Sequence, residues 1–283
     1  MSITPPIIYS PESQIRTPSR FLRAMVYDLK NSRELAWRLF VRDFFARYRR
    51  SVLGIFWSFL PPILTGVVFI VLQMKGVVHL GATEVPYPVY VLVGTILWQL
   101  FTESLNAPLN TVRAASSMLG RVNFPREALI VSSFYQVLVN LLIKSLVLAG
   151  TFIYFGISPS AGFLIAPVAI LVLILLGMTI GLILTPLGML FTDVGSSLAI
   201  LTQVWFFLTP VVYPAPKSFP YSLIATLNPV SPVLMAARDL MTRGTMDEPL
   251  LFAVVSGLTL AGLFFAWVMY RLAMPIIIER MSS

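Results

Sequence analysis

Six long apolar stretches constrain this chain more than any other feature of its sequence. A helix that crosses a bilayer needs about 20 mainly apolar residues, and each stretch is close to or above that length. Only 11% of the 283 residues are charged, whereas a soluble domain carries about 25%. The sequence therefore predicts an all-α integral membrane protein with about six transmembrane helices. The stretches run approximately over residues 52–74, 87–110, 128–155, 163–191, 196–213 and 250–270.

Basic residues are distributed unevenly among the segments that join these stretches. Ten of the 20 Lys and Arg residues precede residue 51, three lie between the second and third stretches, and two follow the sixth. The segments on the opposite side hold four in total. Because Lys and Arg are enriched in the cytoplasmic loops of membrane proteins, this distribution predicts that both termini are cytoplasmic.

The segment before the first stretch contains two kinds of sequence. Its beginning is rich in Pro and Ser and is expected to form a flexible tail. Further along, apolar residues such as Ala36, Phe40 and Phe44 share one helical face, and basic residues share another. This pattern predicts an amphipathic helix on the membrane surface, as an anchor or as a docking platform for a cytoplasmic partner. The predicted boundaries are a tail over 1–27, the amphipathic helix over 28–50, the membrane domain over 51–275 and a cytoplasmic tail over 276–283.

Prolines interrupt the segment between the fifth and sixth stretches. Residues 213–241 are moderately apolar but contain five prolines, so a single helix cannot cross the membrane there. Irregular backbone at membrane depth must be buried in protein or reached by water. We predict two short re-entrant helices in this segment, and an ordinary outer loop remains the alternative.

The loop over residues 113–127 reads RAASSMLGRVNFPRE and is long enough for a short helix. Pro125 suits the first turn of the helix that follows, and Glu127 lies near the positive end of that helix. Helix capping accounts for these two residues. A coupling helix that contacts a cytoplasmic partner would also account for the residues before them.

The sequence contains little material for catalysis or nucleotide binding. It has no Cys and one His, His79, so a metal site built on Cys or His is not expected. No lysine follows a glycine, which excludes the phosphate-binding pattern G-x-x-x-x-G-K-[ST]. We predict no catalytic residue, cofactor site or metal site on this chain.

Four residues inside the apolar stretches invite interpretation. Glu103 and Lys144 are ionisable, and the helical rise places them at heights that differ by about 10 Å. We therefore expect Glu103 to lie on a polar face and Lys144 to serve helix packing, rather than the two to pair. Gly177 and Gly181 have the small-xxx-small spacing of close helix contacts, which are expected within the subunit.

Three segments resemble the permease family of ABC-2 type transporters, in the branch that exports bacterial cell-surface polysaccharides. They are residues 47–60 (RYRRSVLGIFWSFL), residues 122–129 (VNFPREAL), and residues 193–214, which end in WFFLTPVVYP and are followed by Asn228 and Pro229. The resemblance implies that 51–275 is an ABC-2 type permease domain in the bacterial cytoplasmic (inner) membrane. It also implies a homodimer of this chain with two copies of a separate ATPase subunit, which would bind the ATP and Mg.

The cargo implied by the resemblance is a lipid-linked polysaccharide of the O-antigen, capsule or teichoic acid type. Export of small hydrophobic molecules or lipids is the alternative, followed by a membrane-embedded enzyme that acts on lipid-linked sugars. Carried onto this sequence, the ATPase-subunit interface comprises Arg38, Arg42, Arg47, Arg113, Arg121, Arg126 and Glu127. The polymer path or outer gate comprises Trp205, Phe206, Phe207, Tyr213, Pro214, Tyr221, Asn228 and Pro229.

Overall fold

The computed structural model of the protein describes residues 18–49, 51, 54–76, 83, 85–122, 124–216, 218–219 and 221–282. Within these ranges the chain forms helices and no β-strand, which confirms the predicted all-α class. His79 lies outside the described residues. The α-helices, in chain order, are α1 Pro18–Asn31, α2 Arg33–Tyr48, α3 Leu60–Met74, α4 Tyr87–Ala114, α5 Ser116–Leu119, α6 Glu127–Phe155, α7 Ala166–Leu190, α8 Asp193–Leu208, α9 Tyr221–Leu227, α10 Val230–Thr242 and α11 Pro249–Ser282. Two 3-10 helices, Gly54–Ser58 and Ala161–Leu164, precede α3 and α7.

In the described part of the chain, five helical segments are long and apolar enough to cross a membrane. The stretch predicted over 196–213 instead contains α8, whose 16 residues measure about 24 Å against a hydrocarbon core of about 30 Å. Thr209 ends α8 in an extended conformation because it precedes Pro210, and a residue before proline is disfavoured in a helix. Against the prediction of about six transmembrane helices, the described residues thus contain five helical segments long enough to cross a membrane and one shorter apolar helix. The five segments are Phe56–Met74, Tyr87–Ala114, Glu127–Phe155, Ala166–Leu190 and Pro249–Arg280.

The N-terminal segment differs from its prediction in two ways. Residues 18–27, expected in the flexible tail, belong to α1, and Met25 of this helix is buried. The amphipathic segment predicted over 28–50 is not one helix, because the chain passes from α1 into α2 at Ser32. The Ser32 hydroxyl donates a hydrogen bond of 2.5 Å to the Asp28 carbonyl oxygen, and both residues are buried.

The C-terminal tail predicted over 276–283 is also corrected, because α11 continues through Pro275 to Ser282. Met274 and Ile277 extend the buried face of α11 and join a hydrophobic cluster with residues of α2, α4 and α6. That packing explains why the helix persists beyond the apolar stretch. The end of α1, the first half of α2 and the last turns of α11 therefore lie together with the start of α6.

The centre of the bundle is the contact between α4 and α7. A Cβ atom added at Gly181 would lie 2.2 Å from the carbonyl oxygen of Leu105, and one at Gly177 would lie 2.7 Å from that of Phe101. These glycines let the two helix backbones approach closely, as small residues do in membrane helices. The expected use of this pair within the subunit is confirmed.

The two ends of the bundle can be distinguished by their contacts. Arg113 near the end of α4 donates a 2.8 Å hydrogen bond to the carbonyl oxygen of Gly188 near the end of α7. This end also holds α1, α2, the start of α6 and the last turns of α11, and we call it the basic end. At the opposite end, Gly162 lies against Gly244, which follows α10.

Candidate functional site

Helix α4 carries a line of accessible polar residues although most of the helix is buried. In the half nearer the basic end, the accessible polar positions lie three or four residues apart, except for the adjacent pair at 102 and 103, so they share one helical face. α6 packs on one side of this face, and Trp205 of α8 contacts α4 on the other. We call this face the α4 polar stripe. It comprises Gln99, Thr102, Glu103, Asn106, Asn110 and Arg113.

Glu103 in the stripe forms an ion pair with Lys144 of α6. The Lys144 Nζ atom donates to Glu103 Oε1 at 2.5 Å, and Asn140 Nδ2 donates to Glu103 Oε2 at 3.1 Å. The expectation that these two charges do not pair is therefore wrong. It compared heights along parallel helices and undervalued the combined reach of a Lys and a Glu side chain.

Polar contacts between α4 and α6 continue toward the basic end. Gln136 of α6 donates through Nε2 to Thr111 Oγ1 at 3.3 Å, and its Oε1 accepts a 3.2 Å bond from Arg47 of α2. Arg47, predicted at the ATPase interface, thus contacts the membrane helices of its own chain. This contact joins the N-terminal segment to the polar groups beside the stripe.

An aromatic cluster lies beside the stripe, at the end of the stripe that is farther from the basic end. Phe101 and Trp205 have ring centroids 5.3 Å apart at 84°, and Trp98 and Phe206 have centroids 5.9 Å apart at 71°. Edge-to-face contacts of this kind add to the stability gained from burial. Phe207 packs edge-to-face against Phe206, with ring centroids 5.2 Å apart, and its side chain is exposed. The structure therefore brings Trp205 and Phe206 together with α4 and leaves Phe207 at the exposed edge of the cluster.

Residues 209–213, which follow α8, form no regular helix, but side chains bind their carbonyl groups. Arg238 of α10 donates through Nη1 to the carbonyl oxygens of Pro210 at 3.0 Å and Val211 at 3.3 Å. The Tyr87 hydroxyl donates to Val212 O at 3.1 Å, and the Tyr90 hydroxyl donates to Tyr213 O at 2.9 Å. Four consecutive carbonyls are thus satisfied, which is the condition for irregular backbone inside a membrane protein.

Arg238 itself is almost fully buried at 2% exposure. Its guanidinium carbon lies 3.8 Å from the centroid of the Tyr90 ring, a cation–π contact. Tyr90 therefore contributes twice, with its ring under Arg238 and its hydroxyl on Tyr213. These contacts join α10, α4 and the segment after α8 into one unit.

The two short helices predicted after the fifth stretch are present as α9 and α10. Asn228 between them accepts a 3.0 Å bond from Trp205 Nε1 and donates a 2.8 Å bond to Thr209 Oγ1. Trp205 contacts Trp98, which lies about 16 Å along α4 from its first residue. The start of α10 thus lies about half-way along α4. Arg238, further along α10, contacts Tyr90 near the start of α4. Helix α10 therefore runs from the middle of α4 back to the end opposite the basic end. That course fits the predicted re-entrant arrangement.

A cavity of about 640 Å³ opens between α10, α9 and the start of α11. Asp239, Arg243 and Asp247 form a chain of ion pairs at its wall, with N–O distances of 3.0 and 2.9 Å. Pro214 also lines the cavity. Pro229 is exposed at the start of α10, and the Tyr221 side chain lies outside the described part of the chain.

Glu127, predicted at the ATPase interface, is buried at the basic end. Its carboxylate binds the guanidinium of Arg271, which also donates to Asp28 Oδ2 at 2.7 Å. All three side chains are less than 9% exposed. The structure places Glu127 in an internal ion cluster rather than on a docking surface.

The predicted interface arginines occupy different surroundings. Arg38 is exposed on α2 and pairs with Glu34, and Arg42 pairs with its neighbour Asp43. Arg121 and Arg126 line a second cavity of about 240 Å³ after α5, the short helix predicted in this loop. The structure thus brings two of these arginines together and leaves Arg38 apart from them on α2.

Within the described residues, no three Asp, Glu or His side chains cluster in a way that would hold a metal ion. Charged side chains occur instead in the ion pairs and networks described above. These contacts hold neighbouring helices in place and fix the position of Glu103 in the α4 polar stripe. Ionisable residues that face the interior of a membrane protein are typical of substrate and ion pathways.

The family model described as ABC-2 type transporter matches residues 34–242, which is more than half of the chain. The chain belongs to the ABC-2 type transporter family. It is a multi-pass membrane protein, in agreement with its apolar helices.

Relatives of this ABC-2 transporter have names that concern glycans. The chain is 28% identical over 209 residues to the O-antigen export system permease protein RfbA of Myxococcus xanthus, covering 73% of this chain and 79% of the relative. It is 25% identical over 241 residues to an RfbA of Klebsiella pneumoniae and to the polysialic acid transport protein KpsM of Escherichia coli. These two alignments cover 82% of this chain and 91% of each relative.

Several residues that organise this ABC-2 transporter were not singled out from its sequence. Arg271 was counted only as a topological charge, Arg238 was counted as a loop residue, and Asp28 was used only to mark the start of a helix. One signal was available, since a charged residue next to or inside an apolar segment needs a partner. The partners themselves lie far away in sequence and could not be named.

Proposed function

We propose that this chain is the transmembrane permease subunit of an ABC transporter that exports a lipid-linked cell-surface polysaccharide. The cargo class is that of an O-antigen, a capsule or a teichoic acid type polymer. The names of the relatives support export of a polysaccharide. The α4 polar stripe is the observation in this molecule that carries the proposal.

A polar stripe at membrane depth needs a polar neighbour. Exposing Glu103 and the amides of Gln99 and Asn106 to lipid costs several kcal/mol in total, whereas water or a hydroxylated polymer can bind them. A polysaccharide supplies many hydroxyl groups that donate and accept hydrogen bonds. The aromatic cluster beside the stripe offers flat faces against which sugar rings can pack.

A homodimer would close the stripe into a conduit. Leu198 is the buried residue of α8 within one chain, and α3 has two buried residues, Pro62 and Gly66. Both helices therefore leave large apolar surfaces for lipid or for a second copy. We place the partner's equivalent face opposite the α4 polar stripe, so that two stripes enclose one hydrated path.

Energy would come from two copies of a separate ATPase subunit that binds the ATP and Mg. The sequence contains no phosphate-binding loop, so ATP would act through contacts at the basic end. Arg38 and Arg42 on α2 and Arg121 after α5 are accessible there. In this arrangement the basic end and both termini face the cytoplasm, and the chain lies in the bacterial inner membrane.

Export of a small hydrophobic molecule, the alternative from the sequence, fits this stripe less well. An apolar cargo would leave the carboxylate of Glu103 without a hydrogen-bond donor on its accessible side. The aromatic cluster alone would serve such a cargo. The polar residues beneath it favour a glycan.

The proposal is tested by deleting the gene and measuring lipid-linked glycan inside and outside the cells. We expect glycan to accumulate inside and surface glycan to return when the chain is restored together with its ATPase. A partner ATPase with its phosphate-loop lysine replaced provides the matched control and should reproduce the deletion. Normal surface glycan in the deletion strain, or altered efflux of hydrophobic compounds only, would contradict the proposal. Co-purification of the ATPase with the tagged chain tests the partner separately.

A further inference from the structure

The accessible charge along the membrane part of the α4 polar stripe comes from one residue. Between Gln99 and Asn110, Glu103 is the charged member and the others are amides or a hydroxyl. The Glu103 side chain is 32% exposed, whereas its partner Lys144 is 0% exposed. The surface of the stripe therefore presents a carboxylate, and the balancing ammonium group is hidden behind it.

The geometry leaves part of the Glu103 carboxylate free for a ligand. A carboxylate offers about four acceptor positions, and the contacts above use one on each oxygen. Lys144 and Asn140 both approach from α6, so they also fix the position of the group. The Glu103 carboxylate is therefore a positioned hydrogen-bond acceptor at the surface of the path.

Sugar hydroxyls are suitable donors for this acceptor. Hydrogen bonds to an ionised carboxylate are about twice as strong as neutral ones, which makes Glu103 the strongest contact for a sugar hydroxyl between Gln99 and Asn110. A sugar that carries a carboxylate or phosphate meets a like charge instead. The effective dielectric constant beside a protein wall is lower than that of bulk water, so this repulsion is stronger along the path than in solution.

The outer cavity has the same sign of charge. Asp239, Asp247 and Glu248 line it together with Arg238 and Arg243. Among the lining residues that the structure describes, three carboxylates against two guanidinium groups give a formal net charge of −1. A lining of this charge would not attract a polyanion.

We propose that Glu103 binds hydroxyl groups of the passing glycan and makes this path selective for polymers without repeated negative charges. This inference rests on the proposed function and names its substrate class. It separates the chain from a transporter of polysialic acid, which is a polyanion, and it removes the teichoic acid type, also a polyanion, from the cargo classes proposed above. Lys144 and Asn140 act as positioning residues, because they hold the Glu103 carboxylate.

The experiment measures export of two polymers through the same complex. Cells without their own polysaccharide permease receive this chain and its ATPase, and they produce either a neutral mannose homopolymer or polysialic acid on a lipid carrier. The readout is the surface fraction of each polymer, expressed as the ratio of acidic to neutral export. Membrane content and co-purification with the ATPase are measured for every variant.

Three variants test whether the charge of the stripe sets the ratio of acidic to neutral export. Glu103→Gln with Lys144→Met removes both charges, and we expect the acidic-to-neutral ratio to rise at least about 10-fold, with neutral export reduced less than about 3-fold. Asn106→Asp adds a carboxylate to the stripe, so the ratio should fall while the Glu103 pair stays intact. Glu279→Gln removes a carboxylate from the exposed end of α11 and should leave the ratio unchanged.

The outcomes separate the inference from the proposed function. The inference is overturned if the wild type exports the neutral polymer and the ratio is unchanged in both the double variant and Asn106→Asp. The proposed function would still hold in that case. Equal export of both polymers by the wild type also overturns the inference. Export of neither polymer, with the complex present in the membrane, overturns the proposed function together with the inference.

Discussion

Arg271 of α11 donates a 2.7 Å hydrogen bond to the Oδ2 atom of Asp28 in α1, across 243 residues of sequence. The same guanidinium binds Glu127 in the first turn of α6. One buried cation therefore fastens three helices, including the N-terminal helix, at the basic end. Because α2 follows α1 directly, this cluster also sets where the exposed arginines of α2 lie relative to the membrane helices.

Replacing Arg271 by Met should destabilise the protein strongly. The change removes the guanidinium that binds the buried carboxylates of Glu127 and Asp28, and the loss of one member of a buried ion pair costs about 3–5 kcal/mol in soluble proteins. Thermal unfolding of the purified protein in detergent measures the loss. Arg38→Ala is the matched control, because its ion pair with Glu34 is exposed and should contribute less than about 1 kcal/mol. Equal effects of the two changes would contradict a structural role for the cluster.

Tyr90→Phe should loosen the segment after α8 without removing the ring beneath Arg238. Loss of the hydroxyl leaves the Tyr213 carbonyl without its 2.9 Å donor, at a cost of about 1–3 kcal/mol. The chain has no Cys, so a single Val212→Cys reports on this segment through its rate of maleimide labelling. We expect labelling to become at least about fivefold faster in the Tyr90→Phe background, in line with that cost. Tyr154→Phe, on an exposed residue of α6, is the control and should leave the rate unchanged.

Gly181→Ala should separate α4 from α7. The added methyl group would lie 2.2 Å from the Leu105 carbonyl oxygen, so the backbones must move, and overpacking of this kind costs about 1–3 kcal/mol. Gly150→Ala in α6 meets no atom within 4 Å and should be neutral or stabilising by up to about 1 kcal/mol. Melting temperatures of both variants in the same detergent decide the matter. A destabilised Gly150→Ala beside a stable Gly181→Ala would refute the packing described for α4 and α7.

Labelling of single cysteines should place the two ends of the bundle on opposite sides of the membrane. Ser117→Cys lies in α5 at the basic end, and Thr245→Cys lies after α10 at the opposite end, and both positions are exposed. In intact spheroplasts an impermeant maleimide should label Thr245→Cys and leave Ser117→Cys unlabelled until the membrane is permeabilised. The reverse pattern would invert the proposed orientation.

Much of the fold was predictable because the bilayer imposes simple rules on length and composition. The long helices coincide with the apolar stretches, and the prolines between α8 and α11 indicated two short helices in place of a span. The shortness of α8 could also have been anticipated, because Pro210 lies inside the predicted stretch. The residues in the tail predicted over 1–27 were misjudged from residue 18 onward, since the burial of Met25 depends on other helices.

The candidate site was less predictable. Polar spacing along α4 suggested a hydrated face around Glu103, and the structure confirms its accessibility. The partner of Glu103 was missed, because height along a helix ignores tilt and side-chain reach. Glu127 was assigned to a surface, whereas packing of α1 and α11 against α6 buries it.

The sequence by itself determined the class of protein, the approximate positions of its helices and the imbalance of basic charge, because each depends on local composition. Tertiary structure alone decided which polar group meets which. Arg271 reaches Asp28 and Glu127, Arg238 holds the carbonyls after α8, and Lys144 sits behind Glu103. In each case a buried charge must find a partner, and the partner is chosen by the packing of helices that are far apart in the chain.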